Sequence, residues 1–347
     1  MPLSHAAEIA YSPDQFKILS SVGQDLEEFC KYLGTDIHPI AELIGIEPTQ
    51  FGEFETRISF DRFCRLLESI CAIVDDDTVG LQYGVHTKRG ATGPFGFGLA
   101  AAPNFGEMLK FFAEFAHIVV DMEYCDVIHE KDSFVVEWAY SPLVLKPGQY
   151  VDFTASATIC LFEEFSRMKV RPVSATLRRL APSNAKLHHE MFSENLVFGA
   201  ESNSFRFCNS LLGIENATSN EKLFSYMRIR CAEISASVKP KKNLITALKE
   251  DFLKNFESGD TRIEAVASRH GMSERTLQRR LSEINTNYWE LFDETRAELS
   301  LRFLRETDIP LSIISEKLGY STQTAYTRAA KRMHGETPKT IRSATNF

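Results

Sequence analysis

The chain has 347 residues, 44% of them hydrophobic and 25% charged, which is enough for two or three domains with cores of their own. Its formal net charge of −8 argues against nucleic-acid binding along the whole length, but that charge is unevenly spread. From residue 239 onward 19 Lys+Arg stand against 15 Asp+Glu, whereas residues 1–238 carry 20 against 32, so an acidic body precedes a basic tail. No basic segment followed by an apolar run opens the chain. No stretch reaches the roughly 20 apolar residues of a membrane span, so a cytoplasmic protein with no membrane partner is expected. The seven cysteines all precede residue 239, are odd in number and form no Cys-x-x-Cys pair, which suits buried, reduced thiols.

Residues 1–20 read as irregular. Residues 24–77 carry a helical pattern, with Leu26, Phe29 and Leu33 at three and four, then a longer stripe through Ile58, Phe60, Phe63, Leu66, Leu67, Ile70, Ile73 and Val74. The glycine-rich run at 90–98 reads as a loop. No strand clearly leads into it and no Gly-Lys-Ser/Thr follows, so close packing beside a pocket or helix is expected rather than a phosphate cradle. Residues 104–117 form a helix with Phe105, Met108, Leu109, Phe112, Phe115 and Ala116 inward. The period then changes to two over 118–129 and 133–140, with Lys131 and Asp132 as a hairpin turn. A long helix over 147–168 runs along Val151, Ala155, Ile159 and Phe162. A strand at 172–180, a helix at 184–192 and a short strand at 204–207 complete the series. Helices first and then β-β-α-β-α-β predict an α+β domain around a small antiparallel sheet, with too few strands for a barrel.

On 219–238, Leu223, Met227, Cys231, Ile234 and Val238 share one helical face. That face either joins two copies or passes a signal, or it packs on its own domain. The run KPKK at 239–242 then breaks the chain. The expected division is an effector-sensing α+β domain over 1–208, a helical linker and dimerisation segment over 209–239, and an all-α domain over 240–347.

That last domain holds one pattern twice. Residues 262–281 read RIEAVASRHGMSERTLQRRL, and residues 312–332 read SIISEKLGYSTQTAYTRAAKR. Each has a short apolar helix, a glycine (Gly271, Gly319), an apolar residue (Met272, Tyr320), and a serine (Ser273, Ser321) before a helix rich in Arg, Lys, Gln and Thr. Glycine supplies the φ > 0 turn, the apolar residue fills the angle between the helices, and serine caps the second helix. The result is a helix–turn–helix whose second helix fits a DNA major groove. Thr261 with Glu264 has the form of a capping box, Pro310 suits the first turn of a helix running to Leu318, and Thr337-Pro338 opens a last helix. A helix over 288–305, with Leu291, Phe292, Leu299, Phe303 and Leu304 inward, joins the two motifs. It spans roughly 27 Å, which sets two recognition helices for groove segments about 34 Å apart.

Residues 244–342 resemble the DNA-binding domain of the AraC/XylS family of bacterial transcription regulators. The resemblance rests on Val266, Ala267, Gly271, Met272, Ser273, Leu277 and Arg279 in the first unit. The second contributes Gly319, Tyr320, Ser321, Tyr326, Arg328, Ala329, Lys331, Arg332, Gly335, Thr337, Pro338 and Arg342. The upstream part is similar to the arabinose-binding type of sensor domain found in one branch of that family, through Arg171, Pro172, Val173, Pro182, residues 198–203, Phe205 and Phe207. The resemblance implies a regulator, more often an activator, whose partners are double-stranded promoter DNA, a small-molecule effector, RNA polymerase and a second copy of the chain. Leu277 and Leu281 face inward, which leaves Arg275, Gln278 and Arg279 outward, where family members commonly contact bases or phosphates. Gln323, Thr324 and Arg328 are their counterparts, with Lys331 and Arg332 placed for phosphates. The family usually carries a large aromatic where this chain has Ala330, so a softer, less base-specific second unit is expected.

No enzyme motif is present. His188, His189 and Glu190 are adjacent on a helix and point about 100° apart, so a surface helix is expected rather than a metal site. A DNA-repair alkyltransferase fused to such a DNA-binding domain would need a Pro-Cys-His type motif, which none of the cysteines has. No cofactor, metal or catalytic residue is expected. The aromatic residues Phe95, Phe97, Phe112, Tyr124, Trp138 and Tyr150 are candidates to line an apolar effector pocket, or they are simply core. A constitutive regulator whose first domain only dimerises or meets a protein partner is the alternative.

Overall fold

A long buried helix against one face of a five-stranded sheet sets the plan of the first half of the chain, and a bundle of seven helices makes the second. The computed structural model describes residues 13–53, 56–87, 92–216, 219–238 and 244–344. It divides into a first unit, Pro13–Pro240, and a second built on Lys241–Phe347. The expected break at 239–242 lies outside the described residues.

The first unit opens with β1 (Lys17–Leu19), α1 (Leu26–Tyr32), α2 (Ile37–Ile44), β2 (Arg57–Ser59) and α3 (Phe60–Val74). The helical pattern expected over 24–77 is thus three helices and a strand. Gly45 and Asp75 end α2 and α3 in the left-handed region, and Asp36 and Ser59 cap their starts by accepting from the His38 and Arg62 backbone N–H groups. Strands β1 and β2 pair antiparallel within a segment expected to be irregular or helical. Arg57 ties them down, donating to the carboxylate of buried Asp121 at 2.7 Å, and the Lys17 backbone N–H donates to the same group.

Next come α4 (Val79–His86), α5 (Pro94–Ala101) and α6 (Phe105–Phe115). The glycine-rich stretch expected as a loop is mostly α5; its opening at 90–91 lies outside the described residues. Pro94 fits the first turn of that helix, and the missing side chain of Gly98 leaves room for the ring of Phe111. Phe111 is therefore buried along with Phe105, Met108, Leu109 and Phe115, and Phe112, expected inward, is half-buried.

The sheet contains β3 (Tyr124–His129), β4 (Ser133–Ala139), β5 (Ser174–Leu177), β6 (Leu196–Phe198) and β7 (Asn203–Cys208), in the order β3-β4-β7-β5-β6. Residues 116–118 form a 3₁₀ turn, so the hairpin starts later than the alternation suggested. All pairs are antiparallel except β5 with β6, a parallel edge pair that the sequence pattern did not reveal. Across the sheet Val136 stands opposite Phe205, and Trp138 packs edge-on against Phe205. Helix α7 (Gly148–Ser166) lies inside, with Tyr150, Val151, Phe153, Ala155, Ile159 and Phe162 buried.

Helix α8 (Lys186–Met191) is not the plain surface helix expected. His188 is completely buried, its Nε2 is 2.8 Å from Asp152 Oδ2 on α7, and Arg179 pairs with the same carboxylate. His189 points elsewhere, toward the Ser193 carbonyl, so the two histidines do diverge. Local spacing could not show the burial, because the partner lies 36 residues away. Among the described residues no group of three His, Cys, Asp or Glu is placed to hold a metal ion.

Helix α9 (Glu221–Val238) packs on its own domain. The Phe224 ring packs tilted against Phe111 with centres 5.4 Å apart, His117 Nε2 meets Ser235 Oγ at 2.8 Å, and Arg228 pairs with Glu114. The segment expected as a separate linker is therefore part of the first unit.

The second unit contains α10 (Leu244–Asn255), α11 (Ile263–Arg269), α12 (Glu274–Ser282), α13 (Tyr288–Glu306), α14 (Leu311–Lys317), α15 (Gln323–His334) and α16 (Pro338–Ser343). Phe252, Phe256, Tyr288 and Phe292 form its aromatic centre. No helix of the described residues is long and apolar enough to cross a membrane.

Candidate nucleic-acid interface and interior cavity

Two turns set the exposed helices of the second unit. Gly271 (φ 64°) and Gly319 (φ 70°) both adopt the left-handed conformation that the motif requires. Ser273 caps α12, accepting from the Thr276 N–H at 3.2 Å. In the second motif the cap is Thr322, which accepts from the Ala325 N–H at 3.1 Å, not Ser321. The second turn is thus one residue longer than the first. Two further expectations differ: α11 is capped by Arg262 without a side-chain bond, and Thr261 instead gives its carbonyl to the Tyr288 hydroxyl. Pro310 precedes the first turn of α14 and occupies the cap position.

Counted from the first residue of each helix, the registers agree. Leu277 and Leu281 are fourth and eighth in α12, and Tyr326 and Ala330 are fourth and eighth in α15; all four are fully buried. This turns the second and sixth places outward: Arg275 and Arg279 on one helix, Thr324 and Arg328 on the other, all exposed. Gln278, Gln323, Lys331 and Arg332 are exposed as well. The fifth place, Gln278 in α12, is held in α15 by Thr327, a residue not among the sequence candidates; Gln323 has the first place, opposite Glu274. Gln278 donates to Glu274 and Arg279 pairs with Glu283, both at 2.9 Å and both on the surface. Such exposed pairs are worth only about 0–1 kcal/mol, so they yield readily to a better acceptor.

Arg296 of α13 is a second residue outside the sequence candidates. Its guanidinium lies 4.4 Å from the Phe292 ring centre, 4.8 Å from Tyr320 and 5.2 Å from Phe256, and donates to the Gly319 carbonyl. It clamps the second turn to the joining helix. The signal was a cation, one of two with Arg302, inside the apolar stripe of 291–304.

The first unit holds a partly open cavity of about 500 Å³ between α5, α6, α7 and the inner face of β4. Of the six aromatic candidates, Phe95, Phe97, Phe112, Trp138 and Tyr150 line it. Tyr124 does not: it stands opposite Ala139, so strand alternation puts it on the other sheet face from Trp138. Val136, Tyr140, Phe153 and Phe165 add further apolar wall. Tyr140 donates to Thr154 at 3.3 Å, and burial pushes the pKa of both Tyr140 and Tyr150 up, so they stay neutral.

Residues 34–215 match the family model described as the arabinose-binding domain of AraC transcription regulator, N-terminal, and residues 266–344 match a helix-turn-helix domain. The ornithine utilization regulator of Pseudomonas aeruginosa is 23% identical over 293 residues, covering 83% of this chain and 85% of that protein. The HTH-type transcriptional regulator VqsM of the same organism is 25% identical over 276 residues, covering 76% and 83%. The crystal structure of transcriptional regulator CdpR from Pseudomonas aeruginosa covers 91% of this chain and 98% of its own at 20% identity, with a TM-score of 0.42.

Proposed function

Since this chain belongs to the AraC family of transcription regulators, and is a DNA-binding regulator on that account, we propose that α12 and α15 read its promoter sites and that a small molecule in the first unit controls the reading. The observation that carries the DNA half is the shared register: Arg279 and Arg328 are each the sixth residue of a capped helix whose fourth and eighth residues are buried. Arg275, Gln278 and Arg279 contact bases or phosphates in one major-groove segment, and Gln323, Thr324 and Arg328 do so in the next. Arginine pairs with guanine and glutamine with adenine through two hydrogen bonds each. Lys331 and Arg332, a turn further along, hold phosphates. On binding, Arg279 exchanges Glu283, and Gln278 exchanges Glu274, for DNA acceptors. Removing Lys331 and Arg332 should weaken binding to all sequences alike and flatten its salt dependence by about one unit for each phosphate no longer neutralised. Arg279→Ala should instead relax base preference.

The effector reading rests on the cavity of about 500 Å³, within the roughly 300–1,000 Å³ of ordinary small-molecule sites. A ligand there acts only through different affinities for two states of the protein, and activation through RNA polymerase is the expected output. A second copy docks through α9. The outward stripe Lys222, Tyr226, Ile229 and Glu233 is exposed, at spacings of four, three and four. Antiparallel pairing about a two-fold axis sets Lys222 opposite Glu233 of the partner subunit, and Tyr226 opposite Ile229 of the partner subunit. Glu233 also meets Arg230 on its own helix, a surface pair that does not prevent this. In sedimentation experiments Lys222→Glu should weaken the dimer, and adding Glu233→Lys should restore it. An unchanged mass in all three proteins would refute the interface.

A further inference from the structure

We infer that the cavity takes a molecule with an apolar aliphatic or aromatic body and one hydrogen-bond-accepting oxygen, and that it excludes sugars and diamino acids. This deepens the reading of the cavity as the effector site and rests on it.

The charged groups that line the cavity are Glu164 and Arg167, and both are exposed at the end of α7. An ammonium or carboxylate carried past those two side chains would lose its water and meet no counter-charge, which is the costliest form of burial. Several of the polar groups in the wall are already engaged with the fold. Thr87 donates to the Tyr83 carbonyl, and Thr154 donates to the Tyr150 carbonyl while it accepts from Tyr140. The Asn216 amide donates to the carbonyls of Ala100 and Ala102. A pentose would bring four hydroxyls to a wall with few free partners. One wall group is both buried and without a hydrogen-bond partner, the indole N–H of Trp138. A buried donor without an acceptor is unfavourable, so a ligand oxygen that reaches it gains what the empty cavity lacks.

The chain has two tryptophans, Trp138 in this wall and Trp289 on the surface of the second unit. The full-length Trp289→Phe variant therefore reports on the cavity through Trp138 alone. It would be titrated with 2-nonanone, L-arabinose and L-lysine, following emission and thermal midpoint together. Two cavity-filling changes, Thr158→Phe and the milder Ala157→Leu, locate any response, with far-ultraviolet circular dichroism to verify folding.

The expected result is saturable binding of 2-nonanone that shifts Trp138 emission and raises the midpoint, is lost in a folded filled variant, and is silent for arabinose and lysine. Trp138→Phe, read by thermal shift, should weaken 2-nonanone by about three- to tenfold, the loss of one hydrogen bond. Undiminished binding in Trp138→Phe would overturn the assigned donor. Saturable binding of arabinose or lysine that filling abolishes would overturn the ligand class while leaving the effector site standing. No saturable response to any of the three, or responses that survive filling, would overturn both.

Discussion

The two turn glycines of the second unit separate backbone strain from steric overlap, because the same substitution meets different surroundings. Alanine at Gly271 finds nothing within 4 Å, so it costs only the left-handed backbone, about 1–2 kcal/mol. The stiffer unfolded chain offsets roughly 0.4–1 kcal/mol of that, leaving a net loss near 1 kcal/mol. At Gly319 the same strain applies, but a Cβ lies 3.1 Å from the Phe256 carbonyl carbon, closer still to its oxygen, and 3.2 Å from Arg296 Nη2. The carbonyl is backbone and the guanidinium is held among three rings, so neither yields cheaply. Overpacking of this kind adds about 1–3 kcal/mol, which puts Gly319→Ala at roughly 2–4 kcal/mol. Urea unfolding of the full chain carrying Trp138→Phe, followed by Trp289 fluorescence, reports the second unit alone. With a urea slope of about 1–3 kcal/mol/M, the Gly319→Ala midpoint should fall below that of Gly271→Ala by about 1 M. Equal midpoints, or a larger loss for Gly271→Ala, would refute the packing argument.

Other consequences follow from individual side chains. Asp152→Ala should cost the first unit about 3–5 kcal/mol, because His188 and Arg179 lose a shared buried partner. Denaturation of the Trp289→Phe background, read through Trp138, measures this, and a change below about 1 kcal/mol would contradict it. Iodoacetamide should label Cys208 first: it is exposed, and its hydrogen bonds to Ser210 lower its pKa. Buried Cys30 and Cys231 have pKa values pushed up to about 12 and should react last, as peptide mass mapping would tell. Ala330 is fully buried, so its site is filled by neighbours rather than open; Ala330→Phe should destabilise the second unit by about 1–3 kcal/mol in the Trp289 assay. Stabilisation by that change would mean an unfilled site.

The second unit was legible because its determinants are local. Glycine, apolar plug, hydroxyl cap and four-residue apolar spacing all lie within about 20 residues of one another. The error at Ser321 arose where two hydroxyl residues stand side by side, since either can cap and only the packing of Tyr326 and Ala330 selects Thr322. Arg296 needed Phe256 and Tyr320 from distant segments beside Phe292 of its own helix, and His188 needed Asp152, so neither role could be read from spacing. Strands β1, β2 and β6 are three residues each, too short for alternation to register. The cavity was half legible. Aromatic richness marked its walls, but which rings face it depends on sheet register, and that register sent Tyr124 to the opposite face.

Most depends on whether one copy of this chain reads two adjacent major-groove segments with α12 and α15. Selection of duplexes from a random library by the full-length protein at moderate salt decides this, repeated with Arg279→Ala and Arg328→Ala. The expected outcome is an enriched site of two blocks whose centres lie about one helical turn, roughly 10 base pairs, apart. Arg279→Ala should erase preference in one block and Arg328→Ala in the other. Enrichment of no sequence over random duplex, or a single block that both variants erase, would rule out reading by two helices of one chain.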